Sequence, residues 1–370
     1  MSVPLVALRL GGVFLYYGGM TKTDLLSEHL PTSIIGFLKH SLSSEEFEVI
    51  PLAGDASARR YYRIALEDKT YVLMEWEPYK EADYPFLSVL RHFERHNVNT
   101  PKVIDMAPDA GLLLLEDLGD LTLERKFWET QNQENIIPFY KLAIDELIKI
   151  HYNSSKEKTN SCTAFDMNFD TKKLLWELNY AKNHLLNGFL KLSFSKEEEA
   201  TLEQDFTSLC EVLSSEPRYI CHRDYHSRNL MLKMGNVKVI DFQDARMGPV
   251  QYDLVSLLHD SYVKINESTH DILLDYYLDQ AQFFYDSPLD KNHFMEIYKL
   301  QIIQRCFKAC GSFASFFMTR EDLRYIHYIQ PTLKKVQAFL KSTPYTAFKN
   351  LFEIQKIADQ DYKKLCTPSS

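Results

Sequence analysis

Glycine-rich loops, paired cysteines, a basic surplus and long apolar runs are all scarce in this chain, and each scarcity closes off a class of function. Cys162, Cys210, Cys221, Cys306, Cys310 and Cys366 form no CxxC pair, which excludes a zinc ribbon or a thioredoxin-like redox site. Cys306 and Cys310 fall on one expected helix, where thiols pack, and Cys221 packs at the end of an expected strand. Reduced thiols point to a cytoplasmic location. Lysine and arginine number 42 against 51 acidic residues, a formal charge of −9 that excludes nucleic acid as a partner. Residues 3–19 are apolar but broken by Arg9 and Gly11-Gly12, too short for a membrane span. They also lack the basic start and cleavage site of a signal peptide, so no membrane association is expected. Residues 1–19 read as a disordered extension or an over-called start, followed by a helix start at Thr21-Lys22-Thr23-Asp24. There is no internal repeat. With 45% hydrophobic and 25% charged residues over 370 positions, the composition is that of a globular protein large enough for two lobes.

What is present is a short polar constellation. Residues 222–229 read His-Arg-Asp-Tyr-His-Ser-Arg-Asn, and twelve positions after Asn229 comes Asp241-Phe242-Gln243-Asp244. Asp224, Asn229 and Asp241 stand at the intervals a kinase uses to place a base and a metal around a nucleotide. Asp224 would accept the proton of an acceptor hydroxyl. Asn229 offers an amide oxygen and Asp241 a carboxylate oxygen, the hard donors that Mg²⁺ prefers. Tyr219–Cys221 and Val237–Ile240 read as two strands of a hairpin that brings the three side chains to one end, with Gly235-Asn236 turning into the second. His226 is suited to touching the acceptor or the metal carboxylate, or to ordering the loop. Arg228 is suited to phosphate, to substrate or to solvent, and Asp244 to the metal or to acceptor hydroxyls. Arg223 is expected to pair with a nearby carboxylate. Asp253 is expected either to cap a helix beginning near Tyr252 or to steady the loop.

The rest of the chain divides in two. Residues 47–53, 59–66, 70–76, 102–106 and 111–116 read as strands, with a helix over 24–42 interrupted by Pro31 and another over 83–97 packing on the small sheet. The single-glycine turn Gly54-Asp55-Ala56-Ser57 is a modest phosphate-loop signal. The strand Tyr71–Trp76 carries no lysine for nucleotide phosphates, and Lys69 precedes it. Arg59, Arg60 and Arg63 are the cations after the turn, but alternate strand residues face opposite sides, so not all three can face a nucleotide. Backbone groups of Glu116–Gly119 form a connector able to hydrogen-bond adenine, and mark the lobe boundary. Beyond it, residues 121–130, 134–152, 170–190, 196–214, 268–284, 291–317, 320–341 and 346–365 have helical spacing.

The segment Gly248-Pro249-x-x-Tyr252-Asp253-Leu254 follows Asp241 almost at once. No room is left to present a peptide, so a small-molecule acceptor is expected. Beside Asp224, Asn229 and Asp241, this segment resembles the aminoglycoside phosphotransferase-like kinases. The strings HRDYHSRNLM and DFQDARMGPVQYDLVSLLHDSYV are more similar to the anomeric N-acetylmuramate/N-acetylglucosamine kinases of cell-wall recycling. The resemblance spans roughly residues 45–265 and includes GDASARRYYR at 54–63 and LLEDLG at 114–119. It implies an α+β, two-lobe protein-kinase-like fold, with a small β-rich N-terminal lobe (20–118) and a large, mainly helical C-terminal lobe (119–370). It implies ATP and Mg²⁺ as cofactors, Gly54, Ser57, Arg59, Glu116 and Leu118 at the nucleotide, and phosphorylation of an amino sugar at its anomeric hydroxyl. Arg223 stands where most aminoglycoside kinases have Gly. The segment Trp176-Glu177-Leu178-Asn179-Tyr180 carries fewer aromatics than that family often shows, which leaves the acceptor pocket open, with Glu177 a candidate in it. An acidic sugar needs a local cation, for which Arg246 is available. A kinase for an aminoglycoside or choline-like amine, and a non-catalytic nucleotide-binding scaffold, are the alternatives. Protein partners are not legible in the sequence.

Overall fold

In the computed structural model the described residues are 30–52 and 59–366, together with the backbone of two strands nearer the N-terminus. Those strands, β1 (Val6–Leu10) and β2 (Val13–Tyr17), pair antiparallel, and the remainder of the expected 1–19 extension lies outside the described residues. The chain forms two compact units, Met1–Tyr84 with Pro101–Gly119, and Pro85–Thr100 with Asp120–Ser370. Among the described residues no helix is long and apolar enough to cross a membrane.

In the first unit, helix α1 (Thr32–Leu42) starts directly after Pro31, whose fixed φ suits a helix entry. Strands β3 (Glu48–Leu52), β4 (Arg60–Leu66) and β5 (Lys69–Glu75) follow. Helix α2 (Pro85–Arg95) then leaves for the second unit before the chain returns as β6 (Val103–Ala107) and β7 (Leu112–Glu116). The five strands make one antiparallel sheet in the order β3-β4-β5-β7-β6. The leucine run of β7 sits in the sheet interior with Leu112 to Leu115 all buried, as an unbroken apolar strand requires. Ile34 and Leu38 of α1 close a core with Val49, Ile64, Leu73 and Leu114. Gly111 ends the β6–β7 turn at φ +69°, and its carbonyl accepts the Trp76 N–H at 2.9 Å. The turn at Gly54 and Ser57 lies outside the described residues.

The second unit is mainly helical. Helix α2 groups with this unit, where Phe86 and Phe93 pack on Phe242, ring centroids 5.0 and 5.7 Å away. Helices α3 (Leu123–Glu129), α4 (Ile137–Ile148) and α5 (Thr171–Ala181) come next. Helix α6 (Lys196–Ser214) opens with a reciprocal capping box between Ser195 and Glu198. Strand β8 (Tyr219–Cys221), β9 (Leu230–Lys233), β10 (Asn236–Val239) and β11 (Arg246–Gly248) precede helices α7 (Gln251–Leu258), α8 (Glu267–Gln282), α9 (Lys291–Arg320), α10 (Ile326–Leu340) and α11 (Thr346–Glu353). The long α9 runs through the interior. A Cβ on its Gly311 would lie 2.3 Å from the Cα of Ala181, so glycine is what lets α9 approach α5 this closely.

One expectation needs correction. Tyr219–Cys221 does not form a hairpin with the strand at 237–240. It pairs with β11, while β10 pairs with β9. The reason is local. Met234 and Gly235 both take positive φ, 48° and 77°, the two-residue turn that joins tightly paired strands, so the hairpin closes on Leu230–Lys233. The polar loop 222–229 therefore bridges β8 and β9 and is not itself a hairpin end.

Candidate active site

The loop after β8 is held by buried acceptors. The Asp253 carboxylate, fully buried on α7, takes the N–H groups of both His222 and Arg223, and the cap position of α7 is Val250. Of the two roles open to Asp253, steadying the loop is the one its contacts fulfil. Arg223 needs that hold, because its φ of +85° is unfavourable for a residue with a Cβ. His222 accepts the Asp224 N–H at Nδ1 (3.3 Å) and donates from Nε2 to the Ile240 carbonyl (2.9 Å). Tyr225 donates to the Ala143 carbonyl of α4 at 2.7 Å, and the N–H and hydroxyl of Ser227 both bond Asp260. His151, Cys221 and Asp253 place ligand-type atoms within 4.8 Å of one another, but all three are buried and His151 bonds the Tyr277 hydroxyl at 2.8 Å. Hydrogen bonding to the loop accounts for that group.

Asp224, Asn229 and Asp241 are brought together on this support. The Asn229 amide nitrogen donates to the Asp224 carbonyl at 3.0 Å and to Asp241 Oδ2 at 3.3 Å. Its nitrogen being committed, the amide presents its oxygen as the remaining donor atom. Asp241 is exposed, has φ +65°, and receives Gln243 Nε2 at 2.8 Å on its other oxygen. An amide oxygen and an exposed carboxylate are the hard oxygen set that fits Mg²⁺.

The Asp224 carboxylate faces three cations, of which sequence reading missed Arg305 and Lys308. Arg305 NH2 lies 3.2 Å and Lys308 Nζ 3.7 Å from its Oδ1, and Arg223 Nε lies 3.9 Å from Oδ2. Burial pushes the Asp224 pKa up, but Lys308, Arg305 and Arg223 outweigh it and hold the carboxyl well below its usual range. Lys308 is itself lowered, by burial first, with Asp224 opposing the shift. Arg305 and Lys308 come from α9. The available signal was a pair of basic residues, three apart, inside the apolar stretch Ile302–Cys310 of a helix otherwise read as packing.

The other expected site residues divide. Asp244 bonds Arg223 NH1 at 2.8 Å, so the pairing expected of Arg223 exists and links Asp244 to Asp224. Glu177 is fully buried on α5, with one oxygen bonded by Tyr252 (3.1 Å) and Gln304 (3.0 Å) and the other without a hydrogen-bond partner among the described residues. His226 packs edge-on to Tyr262, and burial lowers its pKa, with Asp260 and Asp224 opposing. Arg228 makes a two-pronged pair with Glu124, both distances 2.9 Å, and lies 3.7 Å over Tyr262, so it serves packing and not the carboxylate group.

In the first unit, Arg63 grips Asp117 with two bonds of 2.6 and 3.1 Å, and Arg60 bonds Glu75 at 2.6 Å. Burial raises the Asp117 pKa, but the Arg63 bond and the Gly119 N–H bring it below its ordinary value. Two of the three arginines after the turn therefore serve the sheet and the connector. Arg59 lies over the Trp76 ring at 5.4 Å, the Glu116 carboxylate accepts the Lys102 N–H at 3.2 Å, and Leu118 is buried.

The sequence pattern of the phosphotransferase enzyme family matches residues 48–287. The chain belongs to the phosphotransferase enzyme family. Within this family it is 31% identical over 280 residues to the N-acetylmuramate/N-acetylglucosamine kinase of Pseudomonas aeruginosa, covering 75% of this chain and 80% of that one. It is 29% identical over 274 residues to the same-named kinase of Neisseria meningitidis serogroup B, covering 74% and 79%. Among solved structures, an ADP-bound aminoglycoside phosphotransferase superposes with a TM-score of 0.55 at 17% identity, covering 86% of this chain and 99% of that one. That likeness shows the fold, an α+β kinase-like architecture. This phosphotransferase accordingly acts on a hydroxyl acceptor.

Proposed function

We propose that this phosphotransferase uses ATP with Mg²⁺ to phosphorylate the anomeric hydroxyl of an amino sugar, N-acetylmuramate and/or N-acetylglucosamine, in the recycling of cell-wall material. The observation that carries the reading is the Asp224 carboxylate held between Arg305 and Lys308 beside the Asn229–Asp241 pair, in a chain whose relatives bear that name. Asn229 and Asp241 would hold the Mg²⁺, which when bound neutralises phosphate charge. Asp224 would hold the acceptor hydroxyl and take its proton. A carboxylate kept so far below its usual pKa is a weak base, suited to orienting a hydroxyl and receiving the proton late, as a loose phosphoryl-transfer transition state permits. An anomeric hydroxyl is more acidic than an ordinary alcohol, which matches a weak base.

Charge separates this reading from its alternatives. Arg223, Arg246, Arg305 and Lys308 cluster around Asp224 and Asp244, an environment that repels a cationic aminoglycoside or choline-like amine. A non-catalytic scaffold has no use for a carboxylate held ionised among so many cations. The six free thiols suit a reducing, cytoplasmic setting.

The test is a panel of amino sugars, aminoglycosides and choline-like amines incubated with ATP and Mg²⁺, with the phosphorylated position read by NMR. A 1-phosphate of one or both amino sugars is expected. Turnover confined to the amines would overturn the reading.

A further inference from the structure

We infer that Arg246 reads a carboxylate on the acceptor, so that this site distinguishes an acidic amino sugar from a neutral one. The inference rests on the proposed sugar-kinase reading and adds a residue that sets the choice between N-acetylmuramate, which carries a carboxylate, and N-acetylglucosamine, which does not.

Arg246 is only 8% exposed, yet its charge is poorly matched. Its guanidinium lies 5.2 Å over the Phe169 ring, and Nε donates to the Asp244 carbonyl at 3.2 Å. Among the described residues its ion-pair partner is Asp244 Oδ1 at 4.0 Å, and Asp244 is already bonded by Arg223 at 2.8 Å. One half-exposed carboxylate thus serves two guanidiniums. A buried cation without a close counter-charge is costly unless something completes its shell.

Its neighbours are also cations. The buried Nε of Arg223 has no hydrogen-bond partner among the described residues, although Asp224 and Asp244 match its charge. Lys173 on α5 rests its ammonium 3.8 Å over the Trp176 ring in place of a carboxylate. Glu177, one turn along, is bonded instead by Tyr252 and Gln304. Burial lowers the pKa of Arg246, with Arg223 adding to the shift and Glu177, Tyr252 and Asp244 opposing it, and burial lowers Lys173, with Glu177 and Asp244 opposing and Arg246 and Arg223 adding.

The acceptor is the source of anion that fits. Arg223 touches both Asp224 (3.9 Å) and Asp244 (2.8 Å), so Arg246 is linked through Asp244 and Arg223 to the carboxylate that would hold the acceptor hydroxyl. Asn229 and Asp241, the pair suited to metal and phosphates, bond each other and Gln243 and share no ion pair with Arg246 among the described residues. A planar guanidinium is also the group best shaped to take a carboxylate through two parallel bonds.

The experiment measures kcat/KM for N-acetylmuramate and N-acetylglucosamine with ATP and Mg²⁺, using the full chain and its Arg246→Gln variant. The ratio of acidic to neutral sugar should fall by at least about tenfold in the variant, the scale of losing a buried charge-assisted contact. Arg246→Lys should retain part of the preference. A measurement without substitution accompanies it: the unaltered protein should prefer N-acetylmuramate over its neutral carboxamide by about tenfold, and this comparison decides the matter if Arg246→Gln does not fold. An unchanged ratio, an equal loss on both sugars, or a carboxamide used as well as the acid overturns the inference. Turnover of neither sugar by the unaltered protein removes the proposed function and this inference with it.

Discussion

Arg305 and Asp224 are joined across the second unit. One terminal nitrogen of Arg305 lies 3.2 Å from Asp224 Oδ1, while its Nε donates to Ser256 Oγ on α7 at 3.0 Å. The arginine is therefore fixed at both ends, and it carries the position of α9 and α7 to the carboxylate. Lys308, one turn further along α9, approaches the same oxygen. The ionised state and the orientation of Asp224 are thus set by a helix remote in sequence from the loop that bears it.

Removing that contact should change both rate and pH dependence. In the proposed role Asp224 works as the carboxylate, and its native pKa is depressed, so the acidic limb of the rate profile should lie below the ordinary carboxylate range. Arg305→Gln removes one of the depressing cations. The limb should then move to higher pH, and kcat should fall by up to about 10²-fold, since a small displacement of a positioning group has that cost. Arg305→Lys should restore part of both. An acidic limb that stays in place would sink the link between Arg305 and the charge of Asp224. The same sign governs stability. The contribution of Asp224 is fully present above its unfolded pKa of about 3.9 and is lost as pH falls through the lower folded value.

Asp224 and Asp241 should fail in different ways. Asp224→Asn keeps the shape of the loop and the Asn229 contact to its carbonyl, so nucleotide affinity should change little while turnover drops by roughly 10³-fold or more. Asp241→Ala removes a proposed oxygen donor for Mg²⁺, so it should weaken nucleotide binding in the presence of the metal. Calorimetric titration of nucleotide with and without Mg²⁺, beside single-turnover rates, separates the two. Full turnover by Asp224→Asn would remove Asp224 from the base role.

Asp253 should matter more to folding than its distance from the chemistry suggests. It accepts two backbone N–H groups of the loop and approaches His151 Nε2 at 3.3 Å, all without exposure to solvent. Asp253→Ala leaves those donors buried and unpaired, a loss of roughly 3 kcal/mol or more at about 1–3 kcal/mol per donor. Asp253→Asn keeps one acceptor oxygen and should fall between. Denaturant midpoints of the three proteins check the order, and an alanine variant as stable as the parent would contradict it.

The parts of this molecule legible in the sequence are the ones built locally. The eight residues from His222 to Asn229 form one short loop, and Asp241 follows at fixed spacing, so their meeting did not depend on distant packing. The strands around Gly111 and the helical spacing of 196–214 were similarly local. The partner of Tyr219–Cys221 was not legible, because β11 lies across the whole loop and hairpin, and three residues carry too little pattern to name a partner. Lys308 and Arg305 were hidden for the same reason. Helical periodicity marks them as residues of α9, but it cannot say that α9 passes beside the loop. Arg228 shows the converse. Its place inside the motif suggested phosphate, substrate or solvent, and the residue that pairs with it is Glu124, from a helix that looked unremarkable.

Two glycines in the first unit share a backbone conformation and differ in surroundings, so they separate conformational strain from steric conflict. Gly111 and Gly119 have φ of +69° and +77°. A Cβ at Gly111 would lie 2.0 Å from the Trp76 carbonyl oxygen, backbone that cannot yield without breaking the sheet bond beside it, whereas a Cβ at Gly119 meets nothing within 4 Å. Gly119→Ala should therefore cost only the left-handed penalty, about 1–2 kcal/mol. Gly111→Ala adds a clash that the β6–β7 turn must open to relieve, and should cost more than about 3 kcal/mol. Equilibrium unfolding in urea gives both values, and equal losses at the two positions would show that the Trp76 contact does not constrain the turn.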